Sequence, residues 1–220
     1  MLNPGDPDII ESVDAHITRQ VAPVDLVFHE IISPDLHIDV HWVKPARDRP
    51  FHTLVTSGMS ERPMFTPAEA ADFRFAELAI LLDPKWPIDH ARFSDENVYW
   101  PIRLLKTVAR FPFEAETWVG MGHSVAAANP PEPLAPATQL SCAILLPPLS
   151  LGEGFMHMPR KDGGTTYFWN VLPLYTDELA LKLEKGSDAL MDALDAVGVD
   201  DVVRQERPRA TGRKKFLGLF

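Results

Sequence analysis

Three residues with chemical potential alternate along one short stretch: His37, Asp39 and His41 in HIDVH. On a β-strand all three would point to one face, and two imidazoles with one carboxylate form a plausible first coordination sphere for a transition metal. A metal-dependent enzyme using His37, Asp39 and His41 is therefore one expectation, opposed by the absence of a further His or acid at a supporting spacing nearby. The other catalytic signatures fail at the motif. GMSER carries Arg62 where a nucleophile elbow needs glycine, which leaves Ser60 a loop serine. Gly120-Met121-Gly122 and Gly152-Glu153-Gly154 lack the third glycine and helix start of a dinucleotide fingerprint, and no phosphate-loop motif occurs. Cys142 sits in an apolar alternating run, the setting of an inert buried thiol. No pair of carboxylates stands out by spacing as acid and base. No cofactor is implied.

The elements that would position these residues follow from periodicity and capping. Asp6 and Pro7 open an amphipathic helix that carries Ile9, Val13, Ile17 and Val21 and ends near Pro23. Alternation from Asp25 to Ile32 and from Leu36 to Val43, around Ser33-Pro34-Asp35, predicts a hairpin; a third strand follows at Phe51 to Thr56. Thr66 to Glu69 predicts a short helical turn, and Ala71 to Leu82 a strand. Trp100-Pro101 is expected to open a core helix that Phe111-Pro112 closes. Glu116 to His123, Leu140 to Leu146 and Thr166 to Leu174 read as strands. Thr176 is the expected cap of a helix to Glu184, and a second helix runs from Ser187 to about Val197. Strands and helices without regular alternation of the two predict an α+β domain with a mixed, largely antiparallel sheet flanked by helices.

The chain has 220 residues, 45% of them hydrophobic, enough to bury a substantial core. A net charge of −10 argues against nucleic acid and anionic membranes as partners. The charge is uneven: Arg204 to Phe220 holds six basic residues and one acid, +5, whereas the preceding residues carry 15 basic and 30 acidic residues, −15. One cysteine excludes an internal disulfide and fits a reducing, cytoplasmic setting. The N-terminus does not read as a signal peptide, and the longest strongly apolar run, Leu78 to Leu82, is too short to span a bilayer.

Several stretches taken together, in order, are distinctive: HIDVHWV, TLVTSGMSERPM, WPIRLLKTVARFPFEAETWVGMGH, LLPP and NVLPLYTDELALKLEKGSDALMDAL. They resemble the suppressor of fused-like domain family from about Asp25 to Arg207. The resemblance implies one such domain over residues 1–206 followed by a basic tail from 207 to 220. It also implies a non-enzymatic role in binding another protein. In animals the family's namesake holds a transcription-factor peptide between this domain and a second one, for which 220 residues leave no room. Bacterial relatives are commonly single domains, some resembling immunity proteins that neutralise a toxin. Residue by residue, the aromatic of the animal peptide site corresponds to Phe111, and its peptide-binding aspartate is replaced by Gly122, next to His123. A partner cleft is accordingly expected near Met59, Ser60, Phe111, Gly122 and His123, with a protein partner such as a toxin. The oligomeric state is left open, and the tail is expected to be dispensable for folding.

Overall fold

The computed structural model describes residues 5–30, 35–126 and 128–212. Its centre is a nine-stranded sheet in the order β1-β2-β3-β4-β8-β6-β5, with β7 beside β8 and β9 beside β4. The strands are β1 (Leu26–Phe28), β2 (Asp39–Val43), β3 (His52–Ser57), β4 (Ala76–Leu82), β5 (Ser124–Ala126), β6 (Leu140–Leu146), β7 (His157–Pro159), β8 (Thr165–Tyr175) and β9 (Val202–Val203). Pairing is antiparallel except where β4 meets β8 and β9. The α+β class with a mixed, mostly antiparallel sheet is what the sequence predicts.

Four helices cover both faces: α1 (Pro7–Gln20), α2 (Glu96–Glu114), α3 (Thr176–Lys185) and α4 (Ser187–Ala196). Trp100, Ile102, Leu105 and Val108 of α2 pack with Val40, Leu54, Leu78 and Ile80 on one face. Val13 and Ile17 of α1 meet Val43, Val55, Ala79 and Phe168 on the other, where Leu190 and Leu194 of α4 also cover Ile144 and Leu172. With both faces covered, β4 is buried along its whole length, which is why Ala76 to Leu82 shows no clean alternation. The helical turn predicted at Thr66 to Glu69 is a 3-10 helix, Ala68–Phe73, which takes Ala71 to Phe73 from the predicted strand.

Other boundaries move for identifiable reasons. The helix α2 starts at Glu96 because Asp95 caps the Asn97 N–H at 3.0 Å, five residues ahead of the expected opening. Pro101 therefore lies inside the helix and leaves the Asn97 carbonyl without its helical donor; the Gln205 side-chain amide donates to that carbonyl at 3.2 Å. Pro112 does not close the helix, which runs on to Glu114. Glu116 to His123 is not a strand: Glu116 at φ 48° and Gly122 at φ 79° break the extended path, and β5 begins only at Ser124. Tyr175, not Thr176, caps α3; Glu178 reaches back to accept from its N–H at 3.0 Å. The hairpin strands are shorter than predicted, and the turn residues Ser33 and Pro34 lie outside the described residues.

The basic segment is the largest departure. Arg207 is buried and pairs in a bidentate way with fully buried Glu178, at 2.5 and 2.8 Å, and donates to the Pro173 carbonyl at 3.0 Å. The Tyr175 hydroxyl donates to the Arg207 carbonyl at 2.9 Å, the Ala210 N–H donates to Glu178 at 2.9 Å, and Arg209 and Thr211 both bind Asp177. The chain from 207 to 211 is thus part of the domain, and the expected start of a dispensable tail at 207 is corrected. The buried carboxylate requires the arginine.

Candidate functional site

The expected metal ligands part company. Both Asp39 oxygens are occupied: one accepts from the His37 ring and the Glu30 N–H, each at 2.9 Å, and the other faces His29 Nδ1 at 2.8 Å. His41 turns instead to Ser57 Oγ at 2.9 Å, with Asp14 at 3.3 Å from its other ring nitrogen. Among the described residues no group of three potential ligands is disposed to hold a metal ion. Asp14, His41 and Ser57 have the order of a nucleophile relay, but the Asp14 contact lacks hydrogen-bond alignment and Ser57 and His41 are sealed in the core. Burial chiefly lowers the His41 pKa, opposed by Asp14 and Asp39. The cluster therefore ties α1 and β1 to the sheet.

Met59 and Ser60 are also fully buried, which removes them from any open cleft. Gly58 turns the chain there at φ 106°, and a Cβ at that position would lie 2.0 Å from the His37 carbonyl oxygen. Only glycine fits. The turn is held by Glu77 at the start of β4: one oxygen accepts from the Gly58 and Ser60 N–H groups and the Ser60 hydroxyl, and the other accepts from the Thr56 hydroxyl at 2.6 Å.

Burial pushes the Glu77 carboxyl up to about 7, against those donors, which pull it down. A carboxyl raised in the fold contributes stability that is complete below its unfolded value of 4.5 and is lost as pH rises towards 7. This group alone should make the protein about 3 kcal/mol less stable at pH 8 than at pH 4. In Glu77→Gln the amide oxygen can keep its three donors while the new N–H₂ donates to Thr56, whose hydroxyl already lies 3.4 Å from the Leu78 carbonyl. Urea denaturation at pH 4 and pH 8 should show the native chain losing about 3 kcal/mol relative to Glu77→Gln between the two pH values, the other titrating groups being common to both; an equal change in the two chains would contradict the assignment.

The other expected site residues lie near the end of α2 and in the turn before β5. Phe111 is half-buried in the last turns of α2 and packs against the core. From there the Pro112 carbonyl accepts from the Thr117 N–H at 2.8 Å, and the Thr117 carbonyl accepts from Phe65 at 3.1 Å, joining the helix end to the 62–66 loop. The Arg62 guanidinium lies 4.7 Å above the Phe113 ring. Gly122 donates to Leu145 at 2.8 Å and His123 to the Gly120 carbonyl at 3.0 Å, so the turn is anchored to β6. The His123 ring meets Trp118 edge-on at 4.4 Å, with Nδ1 3.3 Å from the Trp118 carbonyl. Phe65, 54% exposed, and Met121, 64% exposed, stand out from this scaffold. Sequence reasoning missed both: Phe65 follows a buried methionine, and Met121 lies between two glycines, with no periodicity to mark either.

The family model for suppressor of fused protein (SUFU) matches residues 34–208, most of the chain. The chain belongs to the SUFU family. Among solved structures it is similar to a SUFU homologue from Neisseria gonorrhoeae, with 16% identity, a TM-score of 0.70, and 94% of this chain and 100% of that one covered. It is also similar to a chain of the Sufu–Fu complex, at 16% identity and a TM-score of 0.62, covering 96% and 93% of the two chains. Drosophila Suppressor of Fused matches at 15% identity and a TM-score of 0.63, covering 95% of this chain and 52% of that one, so this chain spans about half of the fly protein. A comparison with curated proteins gave no match. At these identities the structural likeness shows the SUFU fold, and the site must be argued from its own residues.

Proposed function

We propose that this SUFU-family chain is a non-enzymatic domain that binds a protein through the face formed by the end of α2, the 62–66 loop and the 117–123 turn. The observation that carries the reading is the pair of exposed apolar side chains, Phe65 and Met121, mounted on a hydrogen-bonded scaffold beside Arg62, Phe113 and the Trp118–His123 pair. Exposed aromatic and methionine side chains near an arginine are the residue types enriched at protein interfaces. The family membership and the likeness to a chain solved in a complex with Fu support protein binding. Phe111, Gly122 and His123 belong to this face; Gly122 leaves it without the animal aspartate, so the animal ligand is not carried over.

The finer reading is an immunity protein that captures a toxin in the cytoplasm. The lone buried cysteine fits that compartment, and among the described residues no helix is long and apolar enough to cross a membrane. The body's −15 charge favours a toxin with a basic surface.

The test starts from a partner co-purified from the native host. Phe65→Asp with Met121→Asp should weaken its binding by about a hundredfold, two hot-spot losses, with the melting temperature unchanged. His123→Ala should change stability little. Association with a basic partner should slow as salt rises from low to moderate concentration. Undiminished affinity in the double variant would move the interface elsewhere, and a rate indifferent to salt would remove electrostatic steering. A toxin gene beside this one, with growth rescued by co-expression, would support immunity; a co-purified partner without toxicity would refute it.

A further inference from the structure

Beside β5, a groove of about 530 Å³ runs between α3 and the 128–131 segment, lined by Ala126, Ala128, Pro131, Leu179, Ala180 and Leu183. Leu179, Ala180 and Leu183, with Thr176 also in the lining, are one stripe of α3 at helical spacing, and Leu183 is 71% exposed. The chain reaches the near end of this stripe on its own: Ala210 is bound to Glu178, and Thr211 to Asp177 in the first turn of α3.

We propose that this groove is a docking site for the chain's own residues 213–220, which lie outside the described residues. Three observations select that occupant. The segment begins two residues after Thr211, and eight residues can span about 26 Å, more than the ~15 Å length of α3. Its sequence, RKKFLGLF, supplies four large apolar side chains, Phe216, Leu217, Leu219 and Phe220, for an apolar groove. Its basic start, Arg213, Lys214 and Lys215, is complementary in charge to Glu184 and Glu132, the acids next in sequence to lining residues Leu183 and Pro131. The docking needs no partner. Its consequence for binding rests on the proposed partner face: Lys182 of α3 bonds Ser124 at 3.1 Å, directly after the Gly122-His123 turn, so a docked segment would border that face.

The test uses the full chain and no partner. Leu183→Cys puts a thiol in the groove, while native Cys142 is buried, its thiol pushed up to about 11, and stays silent to iodoacetamide. Adding Phe216→Asp and Leu219→Asp should speed alkylation at position 183 about tenfold, the factor for a site covered some nine-tenths of the time. A synthetic peptide of residues 213–220 should slow it again. Leu149→Cys, at a site 70% exposed elsewhere, should react alike in both backgrounds. Hydrogen exchange of the 126–129 amides in a chain keeping Leu183 gives the second reading, faster in the Phe216→Asp, Leu219→Asp chain. Equal rates at position 183 in both backgrounds together with unchanged exchange would overturn the docking, and since neither arm contains a partner, that failure is distinct from failure of the proposed function.

Discussion

A chain ending at Glu206 is expected to melt about 10 °C below the full-length protein, whereas one ending at Gly212 should stay within a few degrees of it. The difference lies in Arg207 to Thr211. Removing Arg207 leaves the fully buried Glu178 carboxylate without the guanidinium that grips both its oxygens. Breaking a buried pair from one side costs about 3–5 kcal/mol, and for a domain of this size each kcal/mol is worth about 2–4 °C. Glu178 also caps the Tyr175 N–H, so the disturbance reaches the junction of β8 and α3. Replacing both partners by apolar residues, Arg207→Met with Glu178→Leu, should cost less than Arg207→Met alone, because no charge is then stranded. Scanning calorimetry of the five chains decides the matter; equal melting of the Glu206-terminated and full-length chains would mean the pair is not formed.

Trp100→Ala should be as costly, about 3–5 kcal/mol by the usual cost of truncating a buried large side chain. Trp100 is fully buried under α2 and meets Trp86 edge-on at 5.4 Å, so the cavity would open between the helix and the loop after β4. Its indole N–H has no hydrogen-bond partner among the described residues, so Trp100→Phe sacrifices volume and no polar contact. The expected order in denaturant midpoint is native, then Trp100→Phe, then Trp100→Ala well below. A midpoint for the alanine variant close to native would show that the indole packs against solvent or a partner.

How much of this was legible depended on whether the cause was local. The cap Asp6 with Pro7 and the spacing of Val13 and Ile17 sit within α1, and Leu140–Leu146 was placed to the residue because a buried strand between turn residues has few alternatives. The start of α2 was misplaced because Pro101 resembles a first-turn proline, while the group that makes it tolerable, Gln205, lies 108 residues from the Asn97 carbonyl it satisfies. The 207–211 stretch read as a solvated tail because a run of basic residues looks the same whether or not a buried carboxylate awaits one of them. At the site, Phe111, Gly122 and His123 came from the resemblance, as did Met59 and Ser60, which share their motif for a different reason: Gly58 folds them inward onto Glu77. Alternation on β2 put His37, Asp39 and His41 on one face, yet which neighbours each would choose was set by α1, β1 and β3.

The parallel seam where β4 meets β8, in the middle of the sheet, also bears on how quickly the molecule can assemble. On one side β1 to β4 join consecutive segments by antiparallel pairing, and on the other β5, β6, β7 and β8 do the same among themselves. The β4–β8 ladder joins the two halves where Ala76 pairs with Tyr167 and Ala79 with Asn170, partners 91 positions apart in the chain with the whole of α2 between them. Closing so long a loop costs entropy before any seam contact rewards it, and folding slows as contacts become less local. The slow step in refolding is then expected to be the pairing of β4 with β8, and substitutions along the seam, such as Leu78→Ala or Trp169→Ala, should slow folding in stopped-flow measurements more than equally destabilising changes within either half.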